Sequence, residues 1–140
     1  MKYFVHQKHY NRVVLMIDSN VIDLEEMADF LLESGFNILK ATTAKEGISL
    51  LKRYKPDLII LDYQLSDMKA DSFLKRIKFR LNVKNPPKII LISKSMPNNI
   101  LDFFEIGVDN YFSKPIVNRM LIDEVVHLLQ DQYRSEIGKG

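Results

Sequence analysis

Cysteine is absent from the 140 residues, and so is tryptophan. The first absence excludes a disulfide framework and any zinc site built on thiolates. No apolar run approaches the ~20 residues a helix needs to cross a bilayer, so no membrane partner is expected. Met1–Arg12 lacks the apolar stretch of about 7–15 residues at the centre of a secretory signal, which makes the cytoplasm the expected location. No glycine-rich phosphate loop follows the first apolar run, which argues against a flavin or nucleotide binder. Charge of one sign is missing too. Twenty Lys and Arg against 18 Asp and Glu leave a formal charge of +2, too little to imply nucleic acid binding. The length suits one domain, and no repeat or low-complexity tract divides it.

What is present is a set of short, unbroken apolar runs, each ending in a polar group. Val13–Ile17 ends in Asp18, Leu58–Leu61 in Asp62, and Ile89–Ile92 in Ser93. Runs of this length with nothing polar inside read as strands buried on both faces. Phe36–Lys40 alternates only in part and reads as an edge strand, and Asn110–Phe112 as a short one. Helical periodicity fills the gaps. Val21, Leu24, Ala28, Leu31 and Leu32 recur on one side of a helix that Ser19 or Asn20 can cap, and Gly35 stands at its expected end. Thr43 and Glu46 have capping-box spacing and open a second helix through Ile48, Leu50, Leu51 and Tyr54. A loop over residues 63–70 precedes a basic helix with Phe73, Leu74, Ile77 and Leu81 inward. A fourth helix is expected from Pro97 to Ile106, closed by Gly107. The last begins near Asn118 with Leu121, Ile122, Val125, Leu128 and Leu129 inward.

Five strands alternating with five helices predict a doubly wound α/β fold with a parallel sheet and helices on both faces. The expected division is a lead-in over 1–11, one domain over 12–134 and a tail over 135–140. His6 and His9, three apart in the lead-in, read as solvated histidines rather than a metal pair.

In a parallel sheet every strand's carboxyl end lies at one edge, where open α/β sheets bind ligands. Asp18, Asp62, Ser93 and Lys114 come to that edge from four strand ends. Each has an ordinary explanation alone: a helix-start acid, a loop cap, a loop hydroxyl, a turn before Pro115. Their joint placement is what chance rarely supplies. Paired carboxylates suit a hard cation such as Mg²⁺, and a lysine and a hydroxyl beside them suit a phosphoryl group. Together they are what phosphoryl transfer to an aspartate needs.

Over residues 12–132 the chain resembles the receiver domains of two-component response regulators. The resemblance rests on Val14-Leu15-Met16-Ile17-Asp18, Pro56-Asp57-Leu58-Ile59-Ile60-Leu61-Asp62, Ile90-Leu91-Ile92-Ser93 and Gly107-Val108-Asp109-Asn110-Tyr111-Phe112-Ser113-Lys114-Pro115. It implies the flavodoxin-like strand order 2-1-3-4-5. It assigns Asp62 as phosphoacceptor, Asp18 as one metal-binding acid and the Gln64 carbonyl as a further Mg²⁺ ligand. Ser93 matches the switch hydroxyl, Lys114 the phosphate-pairing lysine, Tyr111 the switch aromatic, and Pro115 a proline after a cis bond. It implies no conventional enzyme, but self-catalysed phosphoryl transfer to and from Asp62. The implied partners are a sensor histidine kinase or phosphotransfer protein and a downstream target or output domain. Docking, or dimerisation, is expected on the face of the fourth helix, fifth strand and last helix, with Phe103 as an exposed contact.

Five positions depart from the family pattern. Ser19 stands where a second metal-binding acid is usual, so Mg²⁺ is expected to bind weakly. Ser66 replaces a common proline, and Lys69-Ala70 the usual Asp-Gly, which predicts an altered loop path. Lys94 replaces a small residue and reads as a solvated lysine, the alternative being a lysine that reaches over the pocket to pair with a phosphoryl group. Ser19 also supports a second reading: a pseudo-receiver that binds proteins without phosphorylation.

Overall fold

The computed structural model describes residues 11–139 apart from Asn82, with the side chains at 79, 80 and 131–139 left aside. His6, His9 and almost all of the expected lead-in lie outside the described residues. Five parallel strands, β1 (Val13–Ile17), β2 (Asn37–Ala41), β3 (Leu58–Asp62), β4 (Lys88–Ser93) and β5 (Asn110–Ser113), form one sheet in the order β2-β1-β3-β4-β5. The helices are α1 (Val21–Glu33), α2 (Ala44–Arg53), α3 (Ala70–Arg76, with a further turn at Lys78–Leu81), α4 (Ile100–Ile106) and α5 (Asn118–Lys139).

The three apolar runs become the central strands because both of their faces are covered. Leu15, Ile17, Ile59, Leu61, Ile89 and Leu91 pack with Phe73, Leu74, Ile77 and Phe103 on one side of the sheet. Their neighbours Val14, Met16, Leu58, Ile60, Ile90 and Ile92 pack with Leu24, Met27, Leu31, Leu121, Val125 and Leu129 on the other. This is the period of two carried into both layers of a doubly wound fold. β2 and β5 form the edges, and their residues are mostly half-buried or exposed.

Both capping expectations resolve into specific bonds. Asn20, not Ser19, caps α1 by accepting from the Asp23 N–H at 3.1 Å. Thr43 Oγ1 accepts from the Glu46 N–H at 3.1 Å, and Glu46 Oε1 reaches back to the Thr42 N–H at 3.0 Å. The reciprocal bond thus falls one residue before the cap. Gly35 and Gly107 both have positive φ, 98° and 126°, as helix-terminating glycines do.

Several inward assignments need correction. Val21 and Leu32 are exposed, and Met27 takes a buried place on α1 instead. Tyr54 is exposed because α2 stops at Arg53 and Tyr54 is already extended. α4 begins at Ile100 rather than Pro97, which lies in the preceding turn. Phe103 is buried at 1% exposure while Phe104 is exposed at 41%, so the proposed apolar contact falls on the wrong phenylalanine. Among the described residues no non-glycine φ is positive, so the loop after β3 reaches Ala70, the first residue of α3, without a left-handed residue. The backbone of α5 is helical to Lys139, through most of the stretch expected as a tail.

The amino edge of the sheet is closed by two aspartates. Asp57 Oδ2 accepts from the Val13 N–H at 2.8 Å, joining β3 to β1. Asp109 Oδ2 accepts from the Ile89 N–H, also at 2.8 Å, joining β5 to β4.

Candidate functional site

At the opposite edge the register brings the strand ends level. Ile17 pairs with Leu61, so Asp18 and Asp62 are neighbours across β1 and β3, and Ser93 pairs with Ser113, next to Lys114. The Lys114–Pro115 bond is cis, as the resemblance implied. The lysine side chain runs back across the edge, and its ammonium gathers three carboxylates. Nζ lies 2.6 Å from Asp62 Oδ2, 2.9 Å from Asp18 Oδ2 and 3.0 Å from Asp23 Oδ2. Sequence reasoning placed the first two together and missed Asp23. Its signal was an acid in the first turn of α1, which is also what the helix dipole alone would favour.

Burial makes these contacts strong. The side chains of Lys114, Asp18 and Asp62 are only 8%, 2% and 9% exposed, against 36% for Asp23. The second oxygen of each buried carboxylate is held as well: Asp18 Oδ1 accepts from the Asn20 N–H and Asp62 Oδ1 from the Gln64 N–H, both at 2.9 Å. One ammonium shared among several acids leaves Asp18 under-compensated. Burial pushes its carboxyl above the ordinary range and the charge of Asp62 adds to this, against the opposing hydrogen bonds from Lys114 and Asn20. Burial works against the charged form of Lys114 too, but its bonds to Asp62, Asp18 and Asp23 outweigh it and hold the ammonium charged well above its ordinary range.

Ser93 is buried at the same edge, yet its hydroxyl turns into its own loop. Oγ donates to the Ser95 carbonyl at 2.7 Å and accepts weakly from the Ser95 N–H at 3.3 Å. Tyr111 is half-buried against the core, with its hydroxyl 3.4 Å from Ser113 Oγ. Lys94 is exposed. Gln64 is exposed and bridges to Lys69 across the loop after β3.

A second set of bonds ties the loops around this crevice. Ser19 Oγ donates to the Thr42 carbonyl and accepts from the Ser66 N–H, each at 2.8 Å. Asp67 accepts from the Ala44 and Lys45 N–H groups at 2.9 Å each, at the start of α2. Burial raises the Asp67 carboxyl, but the amides of Ala44 and Lys45 together outweigh it and hold the group below its ordinary value of 3.8.

The donor set can be weighed against the implied Mg²⁺. Among the described residues no group of three or more acidic or imidazole side chains could hold a metal. Asp18, Asp62 and the Gln64 carbonyl nonetheless fit an ion that is commonly held by one or two carboxylates plus phosphate oxygens. Lys114 would have to yield at least one carboxylate oxygen to it, since it now bridges both.

A doubly wound parallel sheet with buried acids and a lysine crossing its carboxyl edge defines a flavodoxin-like α/β domain with a charged crevice at the usual ligand position. The response regulator receiver domain profile matches residues 14–126. The chain belongs to that family. It is similar to the phosphate regulon transcriptional regulatory protein PhoB of Pseudomonas aeruginosa, 27% identical over 119 residues, 85% of this chain and 52% of that protein. The chain thus spans about half the length of that curated relative. It covers 96% of the polar-differentiation response regulator DivK of Brucella anthropi, at 24% identity over 118 residues and 84% of this chain. A CheY-like receiver domain protein of Methanospirillum hungatei superposes with a TM-score of 0.80 at 25% identity, over 89% of this chain and 98% of that one. Receiver domains of two-component systems interact with histidine kinases or phosphotransfer proteins and with output domains, and they generally bind Mg²⁺ at the phosphorylation site. Among the described residues no helix is long and apolar enough to cross a membrane.

Proposed function

We propose that this chain, over residues 12–134, is a phosphoacceptor switch in the cytoplasm and that Asp62 receives the phosphoryl group. The observation that carries the reading is the meeting of Asp18, Asp62 and Lys114 within 3 Å contacts at the end of β1, β3 and β5. Asp62 Oδ2 attacks the phosphorus of a phosphohistidine, and the P–N bond breaks as the new P–O bond forms. Lys114 leaves Asp62 for an oxygen of the transferred group, which keeps a cation on the new negative charge. Ser93 exchanges its bond to Ser95 for another phosphoryl oxygen, and Tyr111 follows into the space that this movement opens. Asp18, Asp62 and the Gln64 carbonyl would hold Mg²⁺, which when bound would supply further charge neutralisation for the transferred group.

The output face is that of α4, β5 and α5. Leu101 at 72% exposure, Phe104 at 41%, Val117 at 59% and Met120 at 56% give it apolar surface for a protein target or a second copy. No direct role in nucleic acid binding is proposed. One observation favours the pseudo-receiver reading: Ser19 brings no second acid, and its hydroxyl is already engaged within the protein.

Exposure to a small acyl phosphate across a range of Mg²⁺ concentrations separates the two. Intact-mass analysis is expected to show one added phosphoryl group on the wild-type chain and none on Asp62→Asn. An unmodified wild-type chain at saturating Mg²⁺ would favour the pseudo-receiver instead.

A further inference from the structure

The hydroxyl of Ser19 is already engaged within the protein, as donor and as acceptor. A serine offers one proton and two lone pairs. The proton goes to the Thr42 carbonyl, with Ser66 Oγ a more distant second acceptor for it at 3.3 Å, and one lone pair receives the Ser66 N–H. Three loops meet at this one atom: the loop after β1 supplies Ser19, the loop after β2 supplies Thr42, and the loop after β3 supplies Ser66.

The next residue makes a second tie between the same partners. Asp67 accepts from the N–H groups of Ala44 and Lys45 at 2.9 Å, while Thr43 takes that of Glu46. The first amides of α2, which a helix cannot satisfy by itself, are therefore covered in part by the loop after β3. That loop also carries Gln64, whose N–H holds the free oxygen of Asp62.

We propose that Ser19 is a positioning residue rather than a metal ligand. With Asp67, it holds the loop after β3 in its working shape through bonds within the protein, so that the loop is ordered before any cation arrives. For its bearing on phosphorylation this rests on the acceptor role of Asp62; the ordering itself does not. It also accounts for two departures from the family pattern together. A hydroxyl at position 19 and a backbone N–H at Ser66, which a proline there would lack, are the two halves of one bond.

The test is hydrogen exchange on the full chain without Mg²⁺, comparing wild type with Ser19→Ala, Ser19→Thr and Asp67→Ala. In Ser19→Ala the Ser66 amide and its loop neighbours are expected to exchange roughly tenfold faster, the scale of one lost net hydrogen bond. Ser19→Thr, which keeps the hydroxyl, should restore protection. Asp67→Ala should release the Ala44 and Lys45 amides by a similar factor. Protection of β3 reports that each variant is folded. Calorimetric titration with MgCl₂ gives the second readout, and Ser19→Ala should leave the Mg²⁺ affinity within about twofold of wild type. Unchanged loop exchange in Ser19→Ala overturns the proposal, as does a tenfold fall in its Mg²⁺ affinity or failure of the threonine to rescue. A chain that never accepts a phosphoryl group would defeat the acceptor role of Asp62 and leave the exchange result standing.

Discussion

Replacing Lys114 with methionine keeps most of the side chain's length and apolar stem while removing the ammonium. The cost can be built from the three contacts. Asp23 is about one-third exposed, so its pair with Lys114 resembles a surface ion pair and contributes at most about 1 kcal/mol. Asp18 and Asp62 are almost fully buried, and removing the one partner of a buried pair typically costs about 3–5 kcal/mol. We expect a loss of about 4 kcal/mol at pH 7, or roughly 10–15 °C in Tm for a domain of this size. The loss should shrink on acidification. Asp18 already has a raised carboxyl in the folded state, so the folded chain binds protons more readily than the unfolded one and stability from this group falls as pH rises. Without Lys114 that shift grows, and a neutral carboxyl at pH 5 relieves part of the strain, each further pKa unit being worth about 1.4 kcal/mol. Urea denaturation followed by circular dichroism at pH 7 and pH 5 measures both effects. Adding Asp62→Asn to Lys114→Met should recover part of the loss at pH 7, because one of the stranded charges is gone. A loss below about 0.5 kcal/mol, or one that stays constant between the two pH values, would refute the claim that this ammonium is what compensates the buried acids.

Two packing predictions follow. A Cβ on Gly47 would lie 2.6 Å from Ile17 Cδ1, so Gly47→Ala should gain about 1 kcal/mol of helix propensity and lose about 1–3 to overpacking. We expect a net loss near 1 kcal/mol in urea denaturation, with Ile17→Val largely suppressing it by removing the clashing methyl; simple additivity of the two changes would contradict this. Phe103→Ala should cost about 3–5 kcal/mol, whereas Phe104→Ala should fall within about 0.5 kcal/mol of wild type.

The phenylalanine pair also shows where the sequence stops being legible. α4 carries two competing apolar rows, Ile100 with Phe103 and Leu101 with Phe104, each at helical spacing. Periodicity alone cannot rank them; Phe103 is the one that joins the buried cluster with Ile89, Leu91 and Val108, and the ring of Tyr63, from a loop far away in sequence, meets it edge-on at 5.7 Å. The central strands were legible for the opposite reason. An apolar run buried on both faces carries its own answer, and the polar residue that ends it marks the sheet edge. That logic located Asp18, Asp62, Ser93 and Lys114. It could not locate Asp23, Ser66 or Asp67, whose contacts depend on loop paths and not on any period. Nor could it show that the Ser93 hydroxyl faces Ser95, because a rotamer leaves no mark on a pattern of residue types.

The aspartates at the far edge of the sheet bear on all of this. Asp57 sets the starting point of β3 against β1, and Asp109 that of β5 against β4. A strand of five residues is about 16 Å long, and a slip of one residue would turn every side chain on it to the opposite face. The alignment of Asp62 with Asp18, and of Lys114 with Ser93, is therefore supported a full strand length from the crevice as well, by carboxylates at the opposite edge of the sheet. The chemistry at one end of the molecule inherits its tolerances from the joinery at the other.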